Sequence, residues 1–585
     1  MSTPTPTYQA IAQRKQAQLE AQIPAEWRLP ASLIPAGMLS VADSITNAKE
    51  YQRVNVMNIP RTCEILTGRE LHITEKYDVQ GLLRVISQKQ FTSEEVVRAF
   101  CKRAAIAQQL TRCLTEPLFT RALTRARALD AHLAQTNRPI GPLHGLPISI
   151  KDNFHIPGVD STTGLAALAF QPATSTSPLV ALLESLGAII IAKTNIPQTL
   201  GALDSCNHLF GRVLNPLSRA LTAGGSTGGE GALLALRGSM VGFGTDIGGS
   251  IRIPAMCQGI YGFKPSVGRV PFGGQDAGHI AGNSRIALQA VAGPLARSVA
   301  DLGAVMAEIV PRAELFGEDC IPGVWGGKFP SLKLPESQPR NVTIGVVRGD
   351  GLVKPLPPVA RALDEVAEAL RRTPGVEVVE IPVPAALAKC QGVAGRLMGA
   401  DGGGLMMDVL ESTGEPLIPW LQGRTKRGKE MTVQQLGKLQ AQRSQIEREM
   451  MQMWNLGGVE RRVDAIIHPL APHPVPELDR SNAVGYTSSF VLLDYPAGAL
   501  PVRAFREEDL ELGKPMDAPV LGSWDKANRE LWDEKTVDRR VYLDSPLSIQ
   551  VVTPKQNDYE LFRAMELIDR AIKVQVDAKP AASKL

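Results

Sequence analysis

Residues 221–255 read LTAGGSTGGEGALLALRGSMVGFGTDIGGSIRIPA. Two serines here are framed by glycine: Ser226 in GGSTGG and Ser250 in DIGGSIRIP, 24 residues apart. Glycine takes φ > 0 freely and brings bare N–H groups close to whatever binds beside it. A serine flanked this way sits on a tight turn, hydroxyl exposed, with amide donors around it. A nucleophile and an oxyanion pocket need that arrangement. Between the serines, 230–237 reads as a helix and 240–243 as a strand, one beat of a β/α alternation.

Upstream, GLPISIKDNF places Lys151 directly after the β-prone run 147–150. A lysine anchored at a strand end and drawn into an apolar site loses its proton near neutral pH and becomes a general base. Each residue has a plainer reading beside this one. Lys151 could pair with Asp152, Ser226 could cap a helix over 228–237, and Ser250 could simply turn the chain. Gly224-x-Ser226-x-Gly228 also matches a nucleophile elbow, which needs a strand before it and a later histidine. The preceding NPLSRALTAGG is poor strand material, and His279, His468 and His473 lie in Gly- or Pro-rich loops. The segment from His468 to His473 holds two prolines and lacks a third ligand at metal spacing. GGSTGGEGA lacks the GK[ST] of a phosphate loop.

Taken together, KD at 151–152, GGSTGGEGA at 224–232 and GTDIGGSIRIPA at 244–255 resemble the amidase signature family, most nearly its fungal acetamidase-type and general amidases. The likeness runs from about residue 80 to 570. It implies a Ser–cisSer–Lys triad of Ser250, Ser226 and Lys151, with a cis peptide bond at Gly225–Ser226. It also implies an oxyanion hole from the backbone of Ile247, Gly248, Gly249 and Ser250, and Leu200 near the acyl pocket. Thr227 departs from the serine common at that position but keeps a hydroxyl. It is expected to hydrogen-bond to Ser226 or to the nucleophile, while Asp246 and Arg252 brace the oxyanion turn. The implied activity is cofactor-free hydrolysis of carboxylic amides, on short aliphatic or aryl amides rather than fatty ones. Two other readings remain. One is a glutaminyl-tRNA amidotransferase A-type subunit, which works with partner subunits and ATP and typically carries Gln where Ile253 stands. The other is a non-catalytic binding protein on the same scaffold.

The 585 residues are 44% hydrophobic and 21% charged, ordinary for a globular enzyme, and the net charge of +4 asks for no nucleic-acid partner. No apolar run approaches the roughly 18 residues of a membrane span. The start, MSTPTPTYQA, has neither the basic nor the apolar part of a secretory signal. Seven scattered cysteines without CxxC fit reduced thiols. The chain ends in Ser583-Lys584-Leu585, a tripeptide read by the peroxisomal import receptor. A peroxisomal location is therefore expected, with cytoplasm as the alternative.

The remaining elements follow from periodicity. Residues 8–22 form a polar amphipathic helix, a surface arm or a homodimer contact. Thr92 opens a capping box with Glu95 for a helix to about 110, and a second helix spans 117–134. Strands at 148–150, 188–192, 342–347 and 376–381 alternate with helices at 178–186, 298–309 and 358–371. A Gly/Pro-rich connection covers 312–340, and 432–454 is a long charged helix. The runs 488–502 and 548–554 read as buried strands. The alternation argues for an α/β architecture, one large catalytic domain over 76–575 with helices on both faces of a sheet, and the resemblance implies that this central sheet is mixed and twisted. A helical arm over 1–75 precedes it and a flexible tail over 576–585 follows.

Overall fold

Alternating β-prone runs and helices assemble into one large mixed sheet. The computed structural model describes residues 6–275, 287–326, 342–456, 462–480, 485–513, 516 and 518–578. His279 and the terminal Ser-Lys-Leu lie outside them, as does 327–340 of the 312–340 connection. The strands are β1 (Leu114–Pro117), β2 (Pro147–Lys151), β3 (Ile189–Thr194), β4 (Cys206–Asn207), β5 (Gly211–Arg212), β6 (Val241–Asp246) and β7 (Tyr261–Lys264). Then come β8 (Val291–Ala296), β9 (Val342–Val346), β10 (Val376–Glu380), β11 (Ala465–Pro469), β12 (Ala497–Ala504) and β13 (Pro546–Val552). Eleven strands pair in the order β1-β3-β2-β6-β8-β7-β12-β13-β11-β9-β10, while β4 and β5 form a small separate ribbon. The β3-β2-β6 and β11-β9-β10 groups are parallel, and antiparallel pairs connect them. This is an α/β domain with a mixed central sheet covered by helices.

Local chemistry explains the elements. The helix Ser93–Thr111 begins at the expected capping box: Glu95 N donates to Thr92 Oγ1 at 3.0 Å and Thr92 N to Glu95 Oε2 at 2.9 Å. The helix Gly228–Ala235 is buried along its whole length. That is why, Glu230 apart, its sequence is small or apolar on every side rather than on one stripe. The helix Tyr8–Ala21 lies against the body through a buried lysine: Lys15 pairs with Glu116 and, at 2.6 Å, with Asp160.

Two expectations need correction. The second helix starts at Phe119 rather than 117, because Leu114–Pro117 is an edge strand antiparallel to β3. Pro117 lacks an N–H, which an edge strand tolerates at its end. The run 488–502 is not one strand: its first part belongs to the helix Gly485–Leu492, and only Ala497–Ala504 is β12. Every residue of that helix is buried, so no polar face gave a helical period against which to tell it from a strand.

The site follows from the sheet. β2 and β6 run parallel, with Ile150 opposite Phe243. Their C-terminal ends, at Lys151 and Asp246, therefore open on the same edge.

Candidate functional site

Lys151 is the last residue of β2 and is completely buried. Its ammonium donates to Ser226 Oγ at 2.7 Å and to Thr245 Oγ1 at 2.8 Å. The alternative pairing with Asp152 is not made. That carboxylate is turned away, accepting from Thr115 Oγ1, Thr162 Oγ1 and the Thr163 amide. Burial lowers the Lys151 ammonium from 10.5 to about 7, against the opposing pull of Asp246, Glu230 and Asp152. A base with that value is poised near neutrality.

Ser226 follows a cis peptide bond at Gly225, as the resemblance implied. Its helix-cap reading fails: Thr227 occupies the cap position of the helix Gly228–Ala235, and no side chain makes a cap bond there. The loop carrying Ser226 is pressed against the helix that Ser250 introduces. A Cβ on Gly224 would lie 2.8 Å from Pro254 Cα, within the helix Arg252–Gln258.

Ser250 stands on the turn between β6 and that helix, 8% exposed where Lys151 is fully closed off. Asp246 organises the turn. Its Oδ1 accepts from the Gly249 amide at 2.8 Å and its Oδ2 from the Ile251 amide at 3.2 Å. Arg252 grips both oxygens of the same carboxylate, at 3.0 and 3.1 Å, and reaches on to Thr487 O and Gln550 Oε1. Burial alone would raise the Asp246 carboxyl. The Arg252 guanidinium, Lys264 and the Ile251 amide hold it below its usual range. The expected brace is thus present as a bidentate buried pair.

This geometry revises two other expectations. Gly249 does not offer its amide to a bound oxygen, because that N–H is spent on Asp246. Its φ of 128° is what bends the turn, and a Cβ there would strike the Thr487 hydroxyl. Among the described residues, the amides of Ile247, Gly248 and Ser250 have no protein acceptor. Thr227 makes no hydrogen bond to Ser226 or Ser250, and its Oγ1 has no partner among the described residues. Its side chain packs instead on β6, where a Cβ on Gly244 would lie 2.5 Å from Thr227 Cγ2. Leu200 ends a short turn, Gln198–Leu200, in which both Thr199 and Leu200 have left-handed backbones (φ 63° and 60°). Two residues on, the Ala202 carbonyl abuts Gly225.

Sequence reasoning passed over two residues. Thr245 shares the lysine with Ser226. Glu230, wholly buried, accepts from Ser149 Oγ and from Thr194 Oγ1 at 3.0 Å. Burial pushes its carboxyl up to about 8, and its charge is one of those that pull the Lys151 value back upward. An acid among the glycines and alanines of GGEGALLA was the available signal. His468 is a core residue: its ring nitrogens meet Pro469 O and Gly349 O, and burial lowers it to about 4. Among the described residues no cluster of His, Cys, Asp or Glu could hold a metal ion.

The sequence model of the Amidase family matches residues 95–562. Amidase FG08078 of Gibberella zeae is 32% identical over 583 residues, covering 97% of this chain and 100% of that protein. The acetamidase of Emericella nidulans is 31% identical over 550 residues, covering 93% and 95%. Among solved structures, a fatty acid amide hydrolase superposes with a TM-score of 0.82 at 26% identity, over 96% of this chain and 95% of that one.

Proposed function

Since the chain belongs to the amidase family, we propose that it hydrolyses carboxylic amides through an acyl-enzyme on Ser250, with Ser226 as proton relay and Lys151 as base. The observation that carries this reading is the 2.7 Å contact between buried Lys151 and Ser226. A hydroxyl that must both accept and donate a proton is held there by an amine that can do the same.

In the first half-reaction the neutral Lys151 amine takes the Ser226 proton as Ser226 takes that of Ser250. The Ser250 oxygen then bonds to the carbonyl carbon. Charge developing on the carbonyl oxygen is met by the amides of Ile247, Gly248 and Ser250. Ser226 gives its proton to the leaving nitrogen and takes one back from Lys151, the C–N bond breaks, ammonia or an amine departs, and Lys151 is neutral again. Water repeats the sequence against the ester and releases the acid, so one water is consumed for each amide. A relay suits this layout because a lysine rooted at the end of β2 need not reach the nucleophile itself.

The test is direct. Ser250→Ala and Lys151→Ala should each lower amide turnover at least a thousandfold, roughly the loss seen when one member of a catalytic unit is removed, while the protein stays folded. Wild-type turnover in either variant overturns the mechanism. A panel of short aliphatic, aryl and long-chain primary amides sets the substrate class, and activity concentrated on the first two groups is expected. The terminal Ser583-Lys584-Leu585 supports peroxisomal import. Removing those three residues from a tagged protein should return it to the cytosol, and an unchanged location counts against the address.

A further inference from the structure

The turn Gln198–Leu200 holds two consecutive non-glycine residues in left-handed backbone, a conformation that persists only where neighbours over-determine it. The neighbours lie more than two hundred residues away, in the segment that follows the helix Gly404–Ser412. Gln198 is fully buried, and its amide nitrogen donates to Glu415 Oε1 at 2.7 Å and to Pro416 O at 3.0 Å. Its amide oxygen accepts from the Ile418 backbone at 3.0 Å. The second oxygen of Glu415 accepts from the Ala166 amide at 2.7 Å. Thr199 N in turn donates to Thr163 O, and the Thr163 amide reaches Asp152, the neighbour of Lys151. Beyond the turn, Ile418 and Leu421 pack with Ala202 and Cys206, and the Ala202 carbonyl abuts Gly225.

We propose that Glu415 and Gln198 are a positioning clasp. They lock the strained turn that presents Leu200, and so make the segment 404–421 part of the apparatus that selects the acyl group. This rests on the Ser250 acyl-enzyme reading, with Leu200 on the acyl side. Neither residue of the clasp touches the reacting atoms. Both oxygens of Glu415 accept N–H groups, so an amide at 415 would set its own NH2 against one of the two donors and break that bond. The surfaces the clasp joins are apolar: Leu417, Ile418 and Leu421 on one side, Ala202 on the other.

The experiment compares wild type, Glu415→Gln and Gln198→Met on acetamide and on aryl and medium-chain amides. Hydrogen exchange at residues 198–203 is followed in parallel. The expected result is an increase in KM for the larger amides of about tenfold, the size of effect one lost buried hydrogen bond gives. Turnover number should stay within about twofold and acetamide kinetics should be unchanged, with faster exchange at 198–203. A loss of equal size on every substrate, or unchanged KM and exchange, overturns the clasp. Should Glu415→Gln fail to fold, Gln198→Met carries the same comparison. A wild type that neither hydrolyses amides nor labels at Ser250 with a small fluorophosphonate overturns the amidase reading instead, and exchange at 198–203 still decides whether the clasp holds the turn.

Discussion

At the scale of single residues the proposed chemistry turns on how a lysine gives up its proton near neutral pH. Lys151 is fully enclosed, and burial brings it to about 7. The amine is the active form of the proposed base and its fraction grows as pH rises. Activity (kcat/KM) should therefore climb through about pH 7 and level off above it. A profile flat from pH 5 to 9 would place the base elsewhere. The same shift has a stability sign. Between about 7 and 10.5 the unfolded chain binds a proton that the folded chain does not. This group's contribution to stability thus increases with pH across that window. Lys151, Ser226 and Ser250 could be picked out from the sequence because each stands beside glycine or at the end of a β-prone run. Thr245 could not: what makes it matter is the parallel register of β2 and β6, which brings residues nearly a hundred positions apart to one strand edge. Glu230 left a signal as an acid in an otherwise apolar helix, but its partners, Ser149 on β2 and Thr194 on β3, are set by the fold.

At the scale of elements, the buried helix Gly228–Ala235 shows how little slack the site has. A Cβ on Gly229 would lie 2.5 Å from three backbone atoms, Asn195 N, Asn195 O and Cys113 O. Backbone cannot swing aside as a flexible side chain can. Gly229→Ala is expected to cost about 3 kcal/mol or more, seen as a lower denaturant midpoint together with lost activity. A midpoint equal to wild type would mean that the loop at 195 moves freely. The amphipathic elements were readable. Thr92 with Glu95 announced its helix, and Pro358 to Arg371 fell where a helix formed, Pro357–Arg371. The elements misjudged were those whose neighbours supply what the sequence omits. The helix Gly485–Leu492 has no polar face to betray its period, and the four-residue β1 exists as a strand because β3 offers it a partner.

At the scale of the whole molecule, the N-terminal helix is held by charge taken out of water. Lys15 is 1% exposed and sits between Glu116 and Asp160. Breaking such a group from one side leaves two buried carboxylates facing each other, a loss of about 3 kcal/mol or more. Lys15→Ala should therefore destabilise the protein by about that amount by urea unfolding, whereas replacing the exposed Arg14 nearby should change little. Equal midpoints for Lys15→Ala and wild type would make the arm a passive attachment. The α/β class was within reach of the sequence because strands and helices alternate along it, and the mixed sheet only through the resemblance that the three motifs carry. The order of strands was not. It depends on the return of the last strand, β13, into the interior of the sheet, which nothing local in SIQVVTP specifies.

That return has a consequence in time. β13 lies between β12 and β11, pairing with both, so the two parts of the sheet are joined by a strand made after all the other described strands. Its Gln550 also receives the hydrogen bond from Arg252, the residue that grips Asp246 beneath the Ser250 turn. A growing chain can thus assemble β1 to β8 around Lys151 and Ser226 while its Ser250 turn still lacks the contact with Gln550. Until synthesis passes residue 550, β11 and β12 each present an unpaired edge. Through that interval the nascent chain carries open strand edges, the surfaces on which chains pair wrongly. A prematurely ended message would release a product that needs a chaperone rather than one with partial activity.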